Sequence, residues 1–193
     1  MRIVGGRLGG RRIAAPRGEG TRPTSDRVRE GVASALEARG WIEGARVLDL
    51  FAGTGALSFE ALSRGAAHAV MIDRDAALIR AIDKGARELG LEREVRALAF
   101  DLEREPRTFI ARLPEDARFD LVFFDPPYAR IAVVTPLLAA LLESGKLTPG
   151  AAIVVEHARR APPTLPDDFA PVATYRYGDT AVLLSEAPGE RTP

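Results

Sequence analysis

Apolar positions along this chain follow two alternating rhythms. Short runs of consecutive apolar residues, such as Val47-Leu48-Asp49-Leu50-Phe51 and Phe119-Asp120-Leu121-Val122-Phe123-Phe124, read as buried strands. Between such runs, apolar residues recur every third or fourth place, the spacing of an amphipathic helix. Arg46–Phe51, Ala69–Ile72, Val95–Phe100, Leu121–Phe124 and Ala151–Glu156 are expected strands. Leu57–Arg64, Asp75–Leu89 and Ile131–Ser144 are expected helices, the first two stopped by Gly65 and Gly90. Strand and helix therefore alternate, which predicts βαβ units and a parallel sheet. Two pieces lie outside that rhythm. At the start, Arg2–Val4 and Arg11–Ala14 flank paired glycines and read as a small hairpin. A loop at Arg17–Pro23 follows, then a helix from Ser25 to about Arg39 with Val28, Val32, Ala35 and Leu36 on one face. At the end, Val172–Tyr177 and Ala181–Ser185 surround Gly178-Asp179, a hairpin signal that would add an antiparallel edge. From about Pro188 onward the chain reads as a flexible tail.

Composition narrows the chemistry. A chain of 193 residues without cysteine excludes disulfides, cysteine-bound zinc and thiol nucleophiles. His68 and His157 stand far apart, so no metal centre is expected. No apolar stretch is long enough for a membrane span or a signal peptide, which points to a cytoplasmic protein. Formal net charge is zero, which argues against a generally basic nucleic-acid binder. The distribution changes that picture: residues 1–30 hold eight arginines against three acids, Glu19, Asp26 and Glu30. Arginine clustered in this way can meet phosphate bidentately.

Two motifs carry candidate chemistry. In Asp49-Leu50-Phe51-Ala52-Gly53-Thr54-Gly55, a strand runs into a glycine turn that opens a helix, so backbone can approach a ligand closely. A dinucleotide fingerprint would need a third glycine where Ser58 stands. Asp73, ending the second strand, is placed to accept ribose hydroxyls. Asp49 is awkward beside pyrophosphate but suits a cationic ligand, and together these features favour S-adenosylmethionine over a nicotinamide dinucleotide. The second motif, Asp125-Pro126-Pro127-Tyr128, ends the fourth strand. Its prolines restrict the backbone, fixing acceptors for an exocyclic amine beside a ring that can stack on a base. Taken singly, Asp49 could cap the glycine turn, and Asp73 and Asp101 could simply end strands. Arg22, Arg27 and Arg29 could pair with Asp26 and Glu30. Trp41 and His157 read as packing residues.

The order of these motifs resembles the seven-stranded S-adenosylmethionine-dependent methyltransferases that modify exocyclic amines of nucleobases. Thr21-Arg22-Pro23-Thr24-Ser25-Asp26-Arg27-Val28-Arg29-Glu30 is similar to the N-terminal motif of one family, which methylates a guanine N2 amine in bacterial 16S ribosomal RNA. Arg2-Ile3-Val4-Gly5-Gly6 and Tyr177-Gly178-Asp179-Thr180 share that likeness. It implies an α/β, Rossmann-like seven-stranded sheet with helices on both faces, plus an N-terminal hairpin and helix. The implied organisation is an RNA-contacting extension at 1–40, a methyltransferase domain at 41–187 and a tail at 188–193. Asp49, Gly53 and Gly55 would line the methionine part of the cofactor, Asp73 the ribose, and Asp101 with Leu102 the adenine, with Phe51, Ala52, Thr54 and Arg74 also binding the cofactor. Asp125, Pro126, Pro127 and Tyr128 would hold the target amine and base, and Arg22, Thr24, Arg27 and Arg29 would meet RNA. The product would be S-adenosylhomocysteine, the partner ribosomal RNA or the assembled small subunit, and the protein a monomer. Asp-Pro-Pro-Tyr also occurs in adenine-N6 enzymes, so a DNA adenine methyltransferase and a non-catalytic RNA-binding protein on this scaffold remain alternatives.

Overall fold

The computed structural model describes residues 1–13 and 26–189. Ala14, the Arg17–Pro23 loop, Arg22, Thr24, Ser25 and the chain beyond Gly189 lie outside the described residues. The chain divides into two compact units, Met1–Phe100 and Asp101–Pro193, a boundary inside the span expected as the methyltransferase domain.

The first unit opens with the expected hairpin in reduced form. Arg2 and Arg12 face each other in one antiparallel bridge, and the bend between them is a 3-10 turn at Gly6–Leu8. Helix α1 spans Asp26–Glu37, strand β1 Arg46–Leu50, helix α2 Ala56–Ser63, strand β2 His68–Asp73, helix α3 Ala76–Leu89 and strand β3 Val95–Ala99. Pairing stops early in the hairpin because α2 takes its donors. The Glu60 carboxylate accepts the Val4 and Gly5 amides at 2.7 and 2.8 Å, and Ser63 Oγ accepts the Leu8 amide at 2.9 Å. Buried backbone donors must find partners, and here they are side chains. Gly6 has φ +71, and a Cβ there would lie 2.1 Å from the Ser63 carbonyl oxygen, so only glycine fits this close approach.

On α1, Val28, Val32, Ala35 and Leu36 are buried as the spacing predicts. Trp41 is half-buried, with the Arg39 guanidinium 5.6 Å from its ring centre. β1, β2 and β3 run parallel, with Val47 opposite Ala69 and Ala69 opposite Val95. Arg64, following α2, donates to Glu60 at 2.8 Å and to Glu37 at 2.6 Å. Burial pulls its pKa down, but the hydrogen bonds and charges of Glu60 and Glu37 outweigh this and leave it raised. The guanidinium therefore keeps its charge at any working pH.

The second unit contains a helix missing from the sequence reading, α4 at Pro106–Ile110, which buries Phe109. Strand β4 spans Phe119–Phe124. A 3-10 turn occupies Tyr128–Val133, and helix α5 spans only Val134–Glu143. Its late start follows from Pro136, which lacks an N–H and is tolerated only in a first turn. Strand β5 (Leu147–Ala158) is longer than expected. The Thr148-Pro149-Gly150 stretch, a turn by composition, is absorbed as an irregularity between the Phe119 and Leu121 pairings with β4. Strands β6 (Ala170–Tyr177) and β7 (Thr180–Glu186) form the tail hairpin, and β7 runs antiparallel to β5.

All seven strands belong to one mixed sheet, ordered β3-β2-β1 within the first unit and β4-β5-β7-β6 within the second. β1 and β4 are buried along nearly their whole length, as inner parallel strands are. No helix among the described residues is long and apolar enough to cross a membrane.

Candidate active site

In the first unit the glycine turn is held by strain and by carboxylates. β1 ends at Leu50, and Phe51 follows with φ +66, a conformation that costs a non-glycine residue about 1–2 kcal/mol. Such strain concentrates where a site needs a fixed backbone. The Ala52 amide still reaches across to the Ile72 carbonyl at 2.9 Å. Gly53 (φ +56) and Gly55 (φ +74) complete the turn for different reasons. A Cβ on Gly55 would lie 2.9 Å from Met71 Sδ and 3.0 Å from the Phe59 ring, whereas one on Gly53 would meet nothing within 4 Å. Gly55 is demanded by packing, while Gly53 leaves open space over the turn.

Asp73 braces this turn. Its Oδ2 accepts the Gly53 amide and its Oδ1 the Asp75 amide, both at 2.9 Å. Asp75 in turn caps α3 by accepting the Ala77 amide at 2.7 Å. Arg74 beside it is exposed. Asp49 is 1% exposed and accepts the Ser58 hydroxyl at 2.7 Å. Ser58 stands where a dinucleotide fingerprint would carry its third glycine, so the departure from that fingerprint has a physical purpose: it satisfies a buried carboxylate. Thr54 Oγ1 lies 3.4 Å from Met1 Sδ, bringing the start of the chain to the turn.

In the second unit, Asp101 Oδ1 accepts the Glu103 amide at 3.1 Å, and Leu102 is buried. Asp125 is half-buried at the end of β4, Pro126 is buried and Pro127 is exposed. Pro127 is extended at φ −49, ψ 136, and its carbonyl accepts the Arg130 amide at 2.7 Å. Arg130 forms an ion pair with Glu103, tying the Asp-Pro-Pro-Tyr loop to the loop that carries Asp101 and Leu102. Tyr128 is 37% exposed, and its hydroxyl is held 2.7 Å from Thr180 Oγ1. Thr180 was not among the expected site residues. Its signal was present in Tyr177-Gly178-Asp179-Thr180, whose hairpin tip now proves to steady the tyrosine. His157 is buried with Nδ1 2.9 Å from the Ala158 carbonyl, a packing role as expected.

The arginines at the start of α1 divide. Arg27 is exposed. Arg29, expected to face RNA, is 2% exposed: its Nη2 donates to the Arg2 carbonyl and to Asp26 Oδ1, each at 2.8 Å. It lies on the buried side of α1 beside Val28 and Val32, so it fastens the hairpin to the helix instead.

A glycine turn after the first parallel strand, an acid after the second and a proline-rich loop after the fourth, on a sheet with one antiparallel hairpin, define the α/β methyltransferase fold. The chain belongs to the family described as conserved hypothetical protein 95, whose model matches residues 1–186. It is 35% identical over 195 residues to the ribosomal RNA small subunit methyltransferase D of Escherichia coli K12, an alignment covering 98% of this chain and 92% of the relative. The solved structure of yhhF from Escherichia coli superimposes with a TM-score of 0.82 at 32% identity, covering 98% of this chain and 99% of that one. An RNA methyltransferase of Salinibacter ruber, solved with S-adenosyl-L-homocysteine, shares the fold at 23% identity and a TM-score of 0.61, covering 89% and 96% of the two chains.

Proposed function

We propose that this protein transfers a methyl group from S-adenosylmethionine to the N2 amine of a guanine in small-subunit ribosomal RNA. The observation that carries this reading is the loop after β4: a carboxylate and two prolines ending a buried strand, followed by an exposed tyrosine whose hydroxyl is tethered. The near full-length likeness to a small-subunit ribosomal RNA methyltransferase supports the substrate class.

The glycine turn suits the cofactor. Gly53 has open space above it, Asp73 presents a carboxylate beside the turn, and a sulfonium or an α-amino group near the buried Asp49 would favour the charged form of that carboxyl. Both Asp73 oxygens already accept one amide, and each retains a second lone pair for a ribose hydroxyl. When bound, S-adenosylmethionine supplies a methyl group activated by its positively charged sulfur. The chain's own groups do the rest. Asp125 and the Pro126 carbonyl accept the two hydrogens of the target amine, turning its delocalised lone pair out of the ring plane. Tyr128 stacks on the base and fixes its orientation. The nitrogen, once methylated, carries a positive charge and loses a proton readily, so no strong base is required. Positioning and preorganised acceptors provide the acceleration.

The test is complementation of a strain lacking this gene, followed by mass spectrometry of nucleosides from its ribosomal RNA. Wild type should restore one N2-methylguanosine. Asp125→Ala should restore none while binding S-adenosylhomocysteine within a few-fold of wild type. Restored methylation by Asp125→Ala rejects its role, and loss of N6-methyladenine from DNA in the deletion strain would favour the adenine reading.

A further inference from the structure

Beside Tyr128 lies an open cleft of about 760 Å³ lined by Tyr128, Ala158, Arg159, Arg160 and Asp179, large enough for a nucleotide. We infer that Arg159 and Arg160 form a phosphate-binding subsite for the RNA strand that carries the target base. The inference rests on the proposed base-stacking role of Tyr128 and adds where the adjoining backbone is held.

Three features place the two arginines there. Thr180, which holds the Tyr128 hydroxyl, pairs in register with Ala158. The next two residues are Arg159 and Arg160, so the positive charges begin one residue beyond the anchor of the stacking ring. The Arg159 amide donates to the Asp179 carbonyl at 2.8 Å, and the Ala161 amide donates to the Ala158 carbonyl at 2.9 Å. These bonds fix a tight turn against the tip of the β6–β7 hairpin, so the pair sits on anchored backbone.

The side chains are also available. Both residues are exposed, and among the described residues neither guanidinium is drawn into an ion pair. Arg29, Arg64 and Arg130 are all engaged by carboxylates. Asp179 also lines the cleft, and its charge offsets one positive charge. One net positive charge remains, suited to a diester that carries a single negative charge per phosphate. A guanidinium fork meets two phosphate oxygens at once, and a base stacked on Tyr128 necessarily brings its own phosphates to the neighbourhood. Asp179 can accept a ribose 2′-hydroxyl, a contact RNA offers and DNA does not.

The experiment compares wild type, Arg159→Ala/Arg160→Ala and Arg159→Lys/Arg160→Lys. Each is measured for filter binding of unmethylated small-subunit ribosomal RNA across a salt series, and for S-adenosylhomocysteine affinity by calorimetry. The alanine pair should weaken RNA binding and flatten the plot of log affinity against log salt by about one unit. Cofactor affinity should be unchanged, and the lysine pair should keep most of the slope. An unchanged slope in the alanine pair, with wild type binding RNA normally, overturns the subsite and leaves the proposed function standing. Loss of cofactor affinity in the alanine pair assigns the arginines to the fold and also overturns it. A wild type that binds small-subunit ribosomal RNA neither free nor as assembled small subunits overturns both readings.

Discussion

Replacing Thr180 by valine removes one hydroxyl and leaves the shape nearly intact, so it isolates what the tether on Tyr128 contributes. The Tyr128 hydroxyl lies 2.7 Å from Thr180 Oγ1. The ring is 37% exposed, so water can replace the lost partner and little desolvation cost is left behind. A net hydrogen bond of this kind contributes about 0.5–1.5 kcal/mol. A tyrosine freed from it must be reordered each time a base stacks, at a similar cost for each immobilised side chain. A loss of about 1 kcal/mol corresponds to roughly a fivefold fall in kcat/KM for RNA. The assay is initial-rate incorporation of tritiated methyl into unmethylated small subunits at subsaturating RNA. Tyr128→Phe removes the other half of the same bond and, because Thr180 is buried, should cost at least as much. The double variant should cost no more than either single one, because both delete one interaction. If the two effects add, or if Tyr128→Phe impairs the enzyme while Thr180→Val does not, the hydroxyl acts on substrate directly and the tether argument fails.

Other expected outcomes follow from the same geometry. Gly55→Ala should destabilise the protein by more than about 2 kcal/mol, since it adds a clash to a positive φ, while Gly53→Ala should cost only about 1 kcal/mol; urea unfolding separates them. Despite its smaller stability effect, Gly53→Ala should weaken S-adenosylhomocysteine binding in calorimetry, and unchanged affinity would show that nothing approaches the turn there. Glu60→Ala deprives two backbone amides of their acceptor and leaves the half-buried Arg64 with Glu37 alone. It should lower stability by about 3 kcal/mol and speed hydrogen exchange at Val4 and Gly5; unaltered exchange at those two amides would contradict the anchoring role.

Legibility followed the physics of each element. Strands buried on both faces announce themselves as apolar runs, and β1, β2 and β4 matched their expected positions to within a residue or two. α4 was invisible because five residues with one buried phenylalanine carry no periodicity. The start of α5 was misplaced because apolar spacing outweighed Pro136, although a proline there marks a first turn. At Arg29, charge suggested an outward face, but the residue shares the turn of α1 that buries Val28 and Val32. Pairing with Asp26 was the alternative the sequence offered, and it is the one realised; a single sequence does not show that the Arg2 carbonyl also waits there. The glycine turn and the Asp-Pro-Pro-Tyr stretch were legible as motifs, because backbone demands at Gly53, Gly55, Pro126 and Pro127 leave marks in residue type. The Thr180 tether was not, since it joins segments far apart in the chain and a threonine in a hairpin has many ordinary uses.

The first thirteen residues lie across two helices at once. Glu60 and Ser63 of α2 hold Val4, Gly5 and Leu8, while Arg11 donates to the Glu88 carbonyl of α3 at 2.8 Å. Ile13 fills the place that a side chain on Gly85 of α3 would occupy. The opposite ends of those helices begin at Gly55 and Asp75, next to the bend that Asp73 steadies. The strap and the bend are therefore joined through α2 and α3, and Thr54 Oγ1 of the bend lies 3.4 Å from Met1 Sδ of the strap. Thermodynamic linkage makes the traffic two-way: if engaging the strap multiplies affinity at the bend, filling the bend multiplies affinity at the strap by the same factor.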